Sequence, residues 1–184
     1  GYIELNNSTV GEQVVAFYQN DMKTSFSGET FYADTVNYER SNLSWIKLST
    51  LNITLADEET RIVEFEITVP DDADLYGSYW SVIMVEPRDP IHIQEDDRGF
   101  SIQSKIRYAI QIVCNIGETG STNLQFIDIK QSNREGNRFL EVGVQNTGDV
   151  IVKPVLSLEL FDALGNTVPI KRAENKRVRR TSRN

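Results

Sequence analysis

The chain has 184 residues, 39% of them hydrophobic and 25% charged, with a formal net charge of −8. That length and apolar content suit one large or two small folded domains and exclude a disordered composition. No apolar run approaches the roughly 20 residues a helix needs to span a bilayer, and the acidic balance argues against nucleic-acid binding, which rests on phosphate neutralisation.

The charge is uneven. Lys171, Arg172, Lys176, Arg177, Arg179, Arg180 and Arg183 stand against Glu174 alone after residue 170, so the acidic excess lies in the body of the chain. This basic segment reads as a solvated strand or chain end rather than a nucleic-acid or membrane patch. Cys114 is the only cysteine, which leaves no internal disulfide and no cysteine-based metal site. Sparse cysteine suits bacterial export into an oxidising space, so an extracytoplasmic location, in the periplasm or at the cell surface, is expected. No signal peptide is visible, and Gly1 is compatible with a leader already removed. With His92 the only histidine, a Ser–His–Asp triad or a multi-histidine metal site is nearly excluded.

Taken in order, the first half shows short strand patterns and almost no helical periodicity. Tyr2, Ile3 and Leu5 mark a strand before the polar turn Asn6–Thr9, and Val14–Tyr18 forms the next, ending at Gln19-Asn20-Asp21. Thr30–Tyr38 alternates loosely, after a loop marked by Ser25, Ser27 and Gly28. Trp45–Leu48 and Leu51–Leu55 are two short apolar runs, and Ala56–Thr60 reads as a turn. Strands at this spacing favour a sandwich over an α/β layout.

The organising stretch is Ile62–Glu86. Val63, Phe65, Ile67 and Val69 alternate with Glu64, Glu66 and Thr68, so one strand face is apolar and the other charged. Pro70 stops that strand, Asp71-Asp72-Ala73-Asp74 supplies turn residues, and Gly77 is free to take φ > 0. Tyr79–Val85 is then apolar on both faces, the mark of a central strand covered on both sides. Trp45 and Trp80 read as core anchors. Tyr79 resembles the tyrosine corner of Ig-like domains.

Glu86–Gly99 is an acidic, proline-containing loop. Beyond it, Ile102, Ile106, Tyr108, Ile110, Ile112, Cys114 and Ile116 share one parity, and Lys105, Arg107 and Gln111 the other. This long strand closes a first domain, residues 1–116, and Gly117–Thr122 is a linker. Residues 123–184 then form a second unit. Phe126 and Ile127 lie in one strand, Arg138–Gln145 in the next, Leu156, Leu158 and Leu160 line a third, and Asn146–Asp149 and Asp162–Asn166 are turns. Val14–Asn20 (VVAFYQN) lines up with Leu140–Asn146 (LEVGVQN), a weak repeat that suggests two related sandwiches. The second is shorter than the first and lacks a counterpart of Ile62–Glu86. Continuation of the chain beyond Asn184 is the preferred explanation, and completion by a partner's strand the other.

Asp89, Glu95, Asp96 and Asp97, near Glu86 and His92, are candidate calcium ligands, since calcium takes six to eight oxygens at flexible spacing. They lack the order of an EF-hand loop, and a solvated hairpin loop is the preferred reading. No carboxylate pair stands out, and neither a G-x-S-x-G elbow nor a P-loop is present. A catalytic role and a cofactor are therefore not expected. Asn7-Ser8-Thr9, Asn42-Leu43-Ser44 and Asn52-Ile53-Thr54 are glycosylation sequons, relevant only in a eukaryotic secretory pathway.

The series Leu55, Asp57-Glu58-Glu59, Val63, Phe65, Ile67, Val69-Pro70-Asp71-Asp72-Ala73, Gly77, Tyr79-Trp80-Ser81-Val82-Ile83 resembles Ig-like modules of bacterial envelope proteins. With the Asn146-x-Gly148 and Gly165-Asn166 turns, the layout is similar to the WxL-interacting surface proteins, whose first domain is associated with peptidoglycan and whose second is associated with host ligands. It also resembles the two-sandwich periplasmic pilus chaperones. The chaperone resemblance implies a basic anchor for a subunit's C-terminus, for which Lys105 and Arg107 are candidates for one half. The expected fold is all-β, two tandem Ig-like β-sandwiches, the second incomplete. The expected function is non-catalytic: a cell-envelope or surface module that binds a protein, peptidoglycan or glycan, with a pilus-chaperone-like assembly factor acting by strand addition as the alternative.

Overall fold

The computed structural model describes residues 1–24, 29–33, 38–88, 91–93, 102–104, 106–155 and 159–168. Their secondary structure is β throughout, apart from one 3₁₀ turn at Leu43–Trp45. In order the strands are β1 (Tyr2–Asn6), β2 (Gln13–Thr24), β3 (Thr30–Ala33), β4 (Ile46–Leu48), β5 (Asn52–Leu55), β6 (Thr60–Ile67) and β7 (Gly77–Pro87). There follow β8 (Ile91–Ile93), β9 (Ile102–Ser104), β10 (Tyr108–Ile116), β11 (Leu124–Arg134), β12 (Asn137–Asn146), β13 (Leu160–Phe161) and β14 (Thr167–Val168). The chain divides into two compact units. The first comprises Gly1–Lys23, Thr30–Leu75 and Tyr79–Cys114, and the second Thr24–Glu29, Tyr76–Ser78 and Asn115–Asn184.

In the first unit a three-stranded sheet ordered β1-β6-β4 faces a five-stranded one ordered β10-β7-β2-β3, with β5 also on β2. One apolar cluster joins the two layers: Ile3, Ile46 and Val63 from the smaller sheet meet Val15, Phe17, Leu55, Ile83, Val85 and Ile112 from the larger. Alternation explains the choice, because on β7 and β2 the odd-numbered side chains go to this core. The even-numbered set of β7 is buried too. Trp80 is 2% exposed, its indole N–H donates to the Met22 carbonyl at 3.1 Å, and its ring packs on Tyr38. Trp45, also buried, lies 4.7 Å from the Tyr79 ring. β7 is thus flanked by strands on both edges and covered on both faces.

Asn42 is the polar centre of this unit. It is fully buried, and its amide nitrogen lies 3.4 Å from the Tyr79 carbonyl, 3.3 Å from the Ile112 carbonyl and 3.3 Å from Cys114 Sγ. Its oxygen accepts the Ser81 hydroxyl at 2.6 Å. A side chain from a loop therefore ties β7 to β10. Asn7 plays a similar part for its own turn. It binds Gly11 O at 2.8 Å and Ala56 O at 2.9 Å, and accepts from the Thr9 hydroxyl at 2.6 Å. Two of the three sequon asparagines are consequently buried, while Asn52 is exposed.

Several boundaries differ from the sequence expectation. The apolar face of β6 is covered at Val63 but not at its far end, where Ile67 forms the sheet's last register pair, with Ile46, and Val69 lies beyond the strand. Tyr38 is not a strand residue but packs on Trp80 from a loop. Ile91–Ile93, expected as loop, is a strand, because its β-branched residues pair with Ile102–Ser104. The single long strand expected over 102–116 is consequently two, β9 turning back to β8 and β10 joining β7.

In the second unit β11 and β12 form a hairpin closed by Glu135 and Gly136. Both have positive φ (52° and 80°), as a two-residue type I′ turn requires. A bulge between Phe126 and Asp128 shifts the register by one residue. It keeps Phe126 opposite Val144 and Ile129 opposite Val142, so the apolar set stays on one face. Gly143 sits opposite Asp128, and a Cβ there would overlap the Asp128 carboxylate. Asn146 is buried, donating to Val150 O at 2.8 Å and accepting Gly148 N–H at 3.0 Å. Within the same unit, Gly77 has φ of 71°, and a Cβ would lie 2.6 Å from the Asp149 carbonyl oxygen. Only glycine fits there. Asp162 closes the β13–β14 turn by accepting the Asn166 side-chain amide at 3.0 Å and the Asn166 and Leu164 backbone N–H, each at 2.8 Å, and these bonds hold its carboxyl below the usual aspartate range.

Two outcomes follow for the first unit. Asn42→Ala should cost about 2–4 kcal/mol, because it strands the buried Ser81 hydroxyl and two carbonyls, whereas exposed Asn52→Ala should stay within about 0.5 kcal/mol. Urea unfolding followed by tryptophan fluorescence reports on this unit, which holds both tryptophans. The second concerns Asp21, which is buried and accepts from the Ser41 hydroxyl. Burial raises its pKa above 3.8, and the Ser41 bond offsets part of the rise. The folded state therefore binds this proton more tightly than the unfolded one, so the group's contribution is greatest in acid and declines as pH rises above 3.8 through the folded value. Asp21→Asn keeps the acceptor, so it should match wild type in acid and become the more stable protein toward neutrality, in urea midpoints taken across that range.

Candidate functional site

The feature that stands out is the end strand of the larger sheet. Among the described residues β10 has one hydrogen-bonded neighbour, β7. Its inward series begins in the core and leaves it. Ile112 is buried, Ile110 and Cys114 pack against the cluster, but Tyr108 is 58% exposed and Ile106, two residues before the strand, 44%. The near end of the strand thus presents apolar side chains beside a backbone edge with no strand neighbour among the described residues. Such an edge is a template for another strand.

The opposite face of the same end is polar. Glu86 of β7 accepts the Tyr18 hydroxyl at 2.7 Å and pairs with Arg107 Nε at 2.8 Å, both on Oε2. The Glu86 side chain is 12% exposed and that of Arg107 57%. An open groove of about 800 Å³ runs alongside, lined by Tyr18, Asn20, Tyr32, Met84, Arg107, Tyr108 and Ala109.

Of the residues singled out from sequence, Asp89, Glu95, Asp96, Asp97 and Lys105 lie outside the described residues. Arg107 is placed at the mouth of the edge, with its charge met by Glu86 inside the chain. Tyr79 is buried beneath Arg40, whose guanidinium carbon stands 5.3 Å from the ring centroid. Among the described residues no three His, Cys, Asp or Glu side chains gather as a metal site, and no helix is long and apolar enough to cross a membrane. Sequence reasoning missed Asn42 and the Tyr18–Glu86–Arg107 tie. Their partners are remote in sequence, and no local pattern marks them.

No protein-family profile matches the chain, and no curated relative does. Solved structures do. A chain of a chaperone–tip adhesin complex of CFA/I fimbriae biogenesis aligns with TM-score 0.54 and 14% identity over 99% of this chain and 75% of that one. The class 5 fimbriae chaperone CfaA gives 0.53 and 14% over 98% and 75%. A chaperone–tip subunit pre-assembly complex of the archaic chaperone–usher Csu pili of Acinetobacter baumannii gives 0.50 and 13% over 99% and 76%. The fold is all-β and Ig-like, as in fimbrial chaperones. At this identity the likeness carries the fold, and function has to be argued from the site.

Proposed function

We propose that this chain is a non-enzymatic, extracytoplasmic assembly factor that binds a protein subunit by strand addition at β10. The observation that carries the reading is the edge itself: a strand with one neighbour among the described residues, anchored at Ile112, whose alternate apolar side chains run out of the core at Tyr108, with exposed Ile106 just before it. Backbone donors and acceptors in a row, flanked by apolar side chains, are complementary to an extended polypeptide. Of the partners expected from sequence, a protein fits this edge better than peptidoglycan or another glycan does. The likeness to fimbrial chaperones favours the same choice. Residues 1–116 are on this reading the strand-lending domain, and 123–184 a partial second sandwich.

Strand lending has a simple energetic logic. A subunit with a gap in its sheet exposes a groove of backbone and apolar surface, and each methylene it buries is worth about 0.8 kcal/mol. The donor must be extended before binding, or its ordering entropy opposes the complex. A strand already fastened to a folded sheet meets that condition.

A photo-reactive phenylalanine at position 108 tests the proposal. Tyr108 is well exposed, so the replacement should leave stability within about 0.5 kcal/mol. Irradiated in envelope extract of the native host, it should give one dominant adduct whose cross-linked peptide is an extended segment of alternating apolar residues. The same probe at Tyr2, on the end strand of the other sheet, should not. Equal labelling from both positions, or a cross-linked segment without alternation, would contradict strand addition.

A further inference from the structure

We propose that Glu86 is a positioning residue that fastens the entrance of β10 and keeps the lending edge extended before a partner arrives. The inference rests on the strand-addition reading and adds the device that prepares the edge.

Three neighbouring parts of the sheet meet at one oxygen. Glu86 belongs to the central strand β7, where Ile83 and Val85 point into the core and Glu86, of opposite parity to both, points to the other face. Its Oε2 receives the Tyr18 hydroxyl from β2 at 2.7 Å and Arg107 Nε from the segment entering β10 at 2.8 Å. Ala16 stands opposite Glu86 in the ladder and Tyr18 opposite Met84, so Tyr18 reaches it along the diagonal. The carboxylate thus links the strands on both sides of its own.

The two halves of β10 are held differently. The far half has Ile112 in the core and the Asn42 amide on the Ile112 carbonyl and Cys114 sulfur. At the near end Tyr108 and the preceding Ile106 are exposed, and Arg107, just before the strand, is tied to Glu86. A charge-assisted bond to a carboxylate that is largely out of water is stronger than a surface ion pair. Removing the carboxylate releases Arg107, which is 57% exposed and regains water, so the tie is lost without stranding a buried charge. The tie therefore sets how often residues 106–110 open away from the sheet. An open entrance is not a template.

The test compares wild type, Glu86→Gln and the charge reversal E86R/R107E. In the free protein, Glu86→Gln should speed amide hydrogen exchange at residues 106–110 by about five- to tenfold, as expected for local opening, with 112–116 and the melting temperature unchanged. Cross-linking from position 108 should fall in parallel, and the charge reversal should restore both. Should Glu86→Gln fail to fold, Tyr18→Phe removes the Tyr18 hydroxyl's bond to the same oxygen and keeps the ring. Unchanged exchange at 106–110, or faster exchange with undiminished cross-linking, would overturn the positioning role. Absence of cross-linking in the wild type would instead overturn strand addition itself, whatever the exchange data show.

Discussion

The buried amide of Asn42 is the constraint on which the larger sheet depends. One side chain with no exposed surface meets the Tyr79 and Ile112 carbonyls, the Cys114 sulfur and the Ser81 hydroxyl. A buried polar group without partners is costly, and one with all of them is specifying, because competing arrangements leave donors unmet. An apolar side chain at the same place would fill space but would not choose which strand lies beside β7. Asn42 makes that choice.

From that choice the candidate site follows. β10 is fixed in the sheet by its far half, through Asn42 and the burial of Ile112. Its near end is consequently presented rather than packed, with Tyr108, and Ile106 just before the strand, outside the core. The Tyr18–Glu86–Arg107 contact sits on the reverse face of the same end. A protein that lends a strand needs this combination, since a wholly buried strand has nothing to lend and a wholly loose one is too disordered to bind well. The low identity to fimbrial chaperones, 13–14%, means that these local contacts, not inherited motifs, carry the functional argument.

Much of the architecture was legible in the sequence. Period-two alternation over Val63–Val69 and the doubly apolar run Tyr79–Val85 sufficed to identify a strand pair and a central strand, and Gly77 and Asp162–Asn166 were recognisable turns. What escaped was whatever depends on contacts between distant residues. Alternation over 102–116 spans two strands, since nothing in the pattern reveals that β9 turns back to β8. The bulge at Ile127 was invisible for a related reason: Phe126 and Ile129 have opposite parity in sequence yet share a face in the hairpin. At the site, Arg107 stood out as a cation, but its partner Glu86 read as a loop residue. Asn42 read only as the first residue of a sequon, because its four contacts lie 37–72 residues away.

The most direct measurement is a high-resolution structure of the chain bound to the subunit that cross-links from position 108. The account predicts that the larger sheet gains a strand beside β10, with backbone hydrogen bonds to that strand and with Tyr108 and Ile106 covered by the subunit. A subunit seated instead on the groove beside Tyr18 and Tyr32, or on the apolar face of the β11–β12 hairpin, with β10 still holding β7 as its single neighbour, would contradict it.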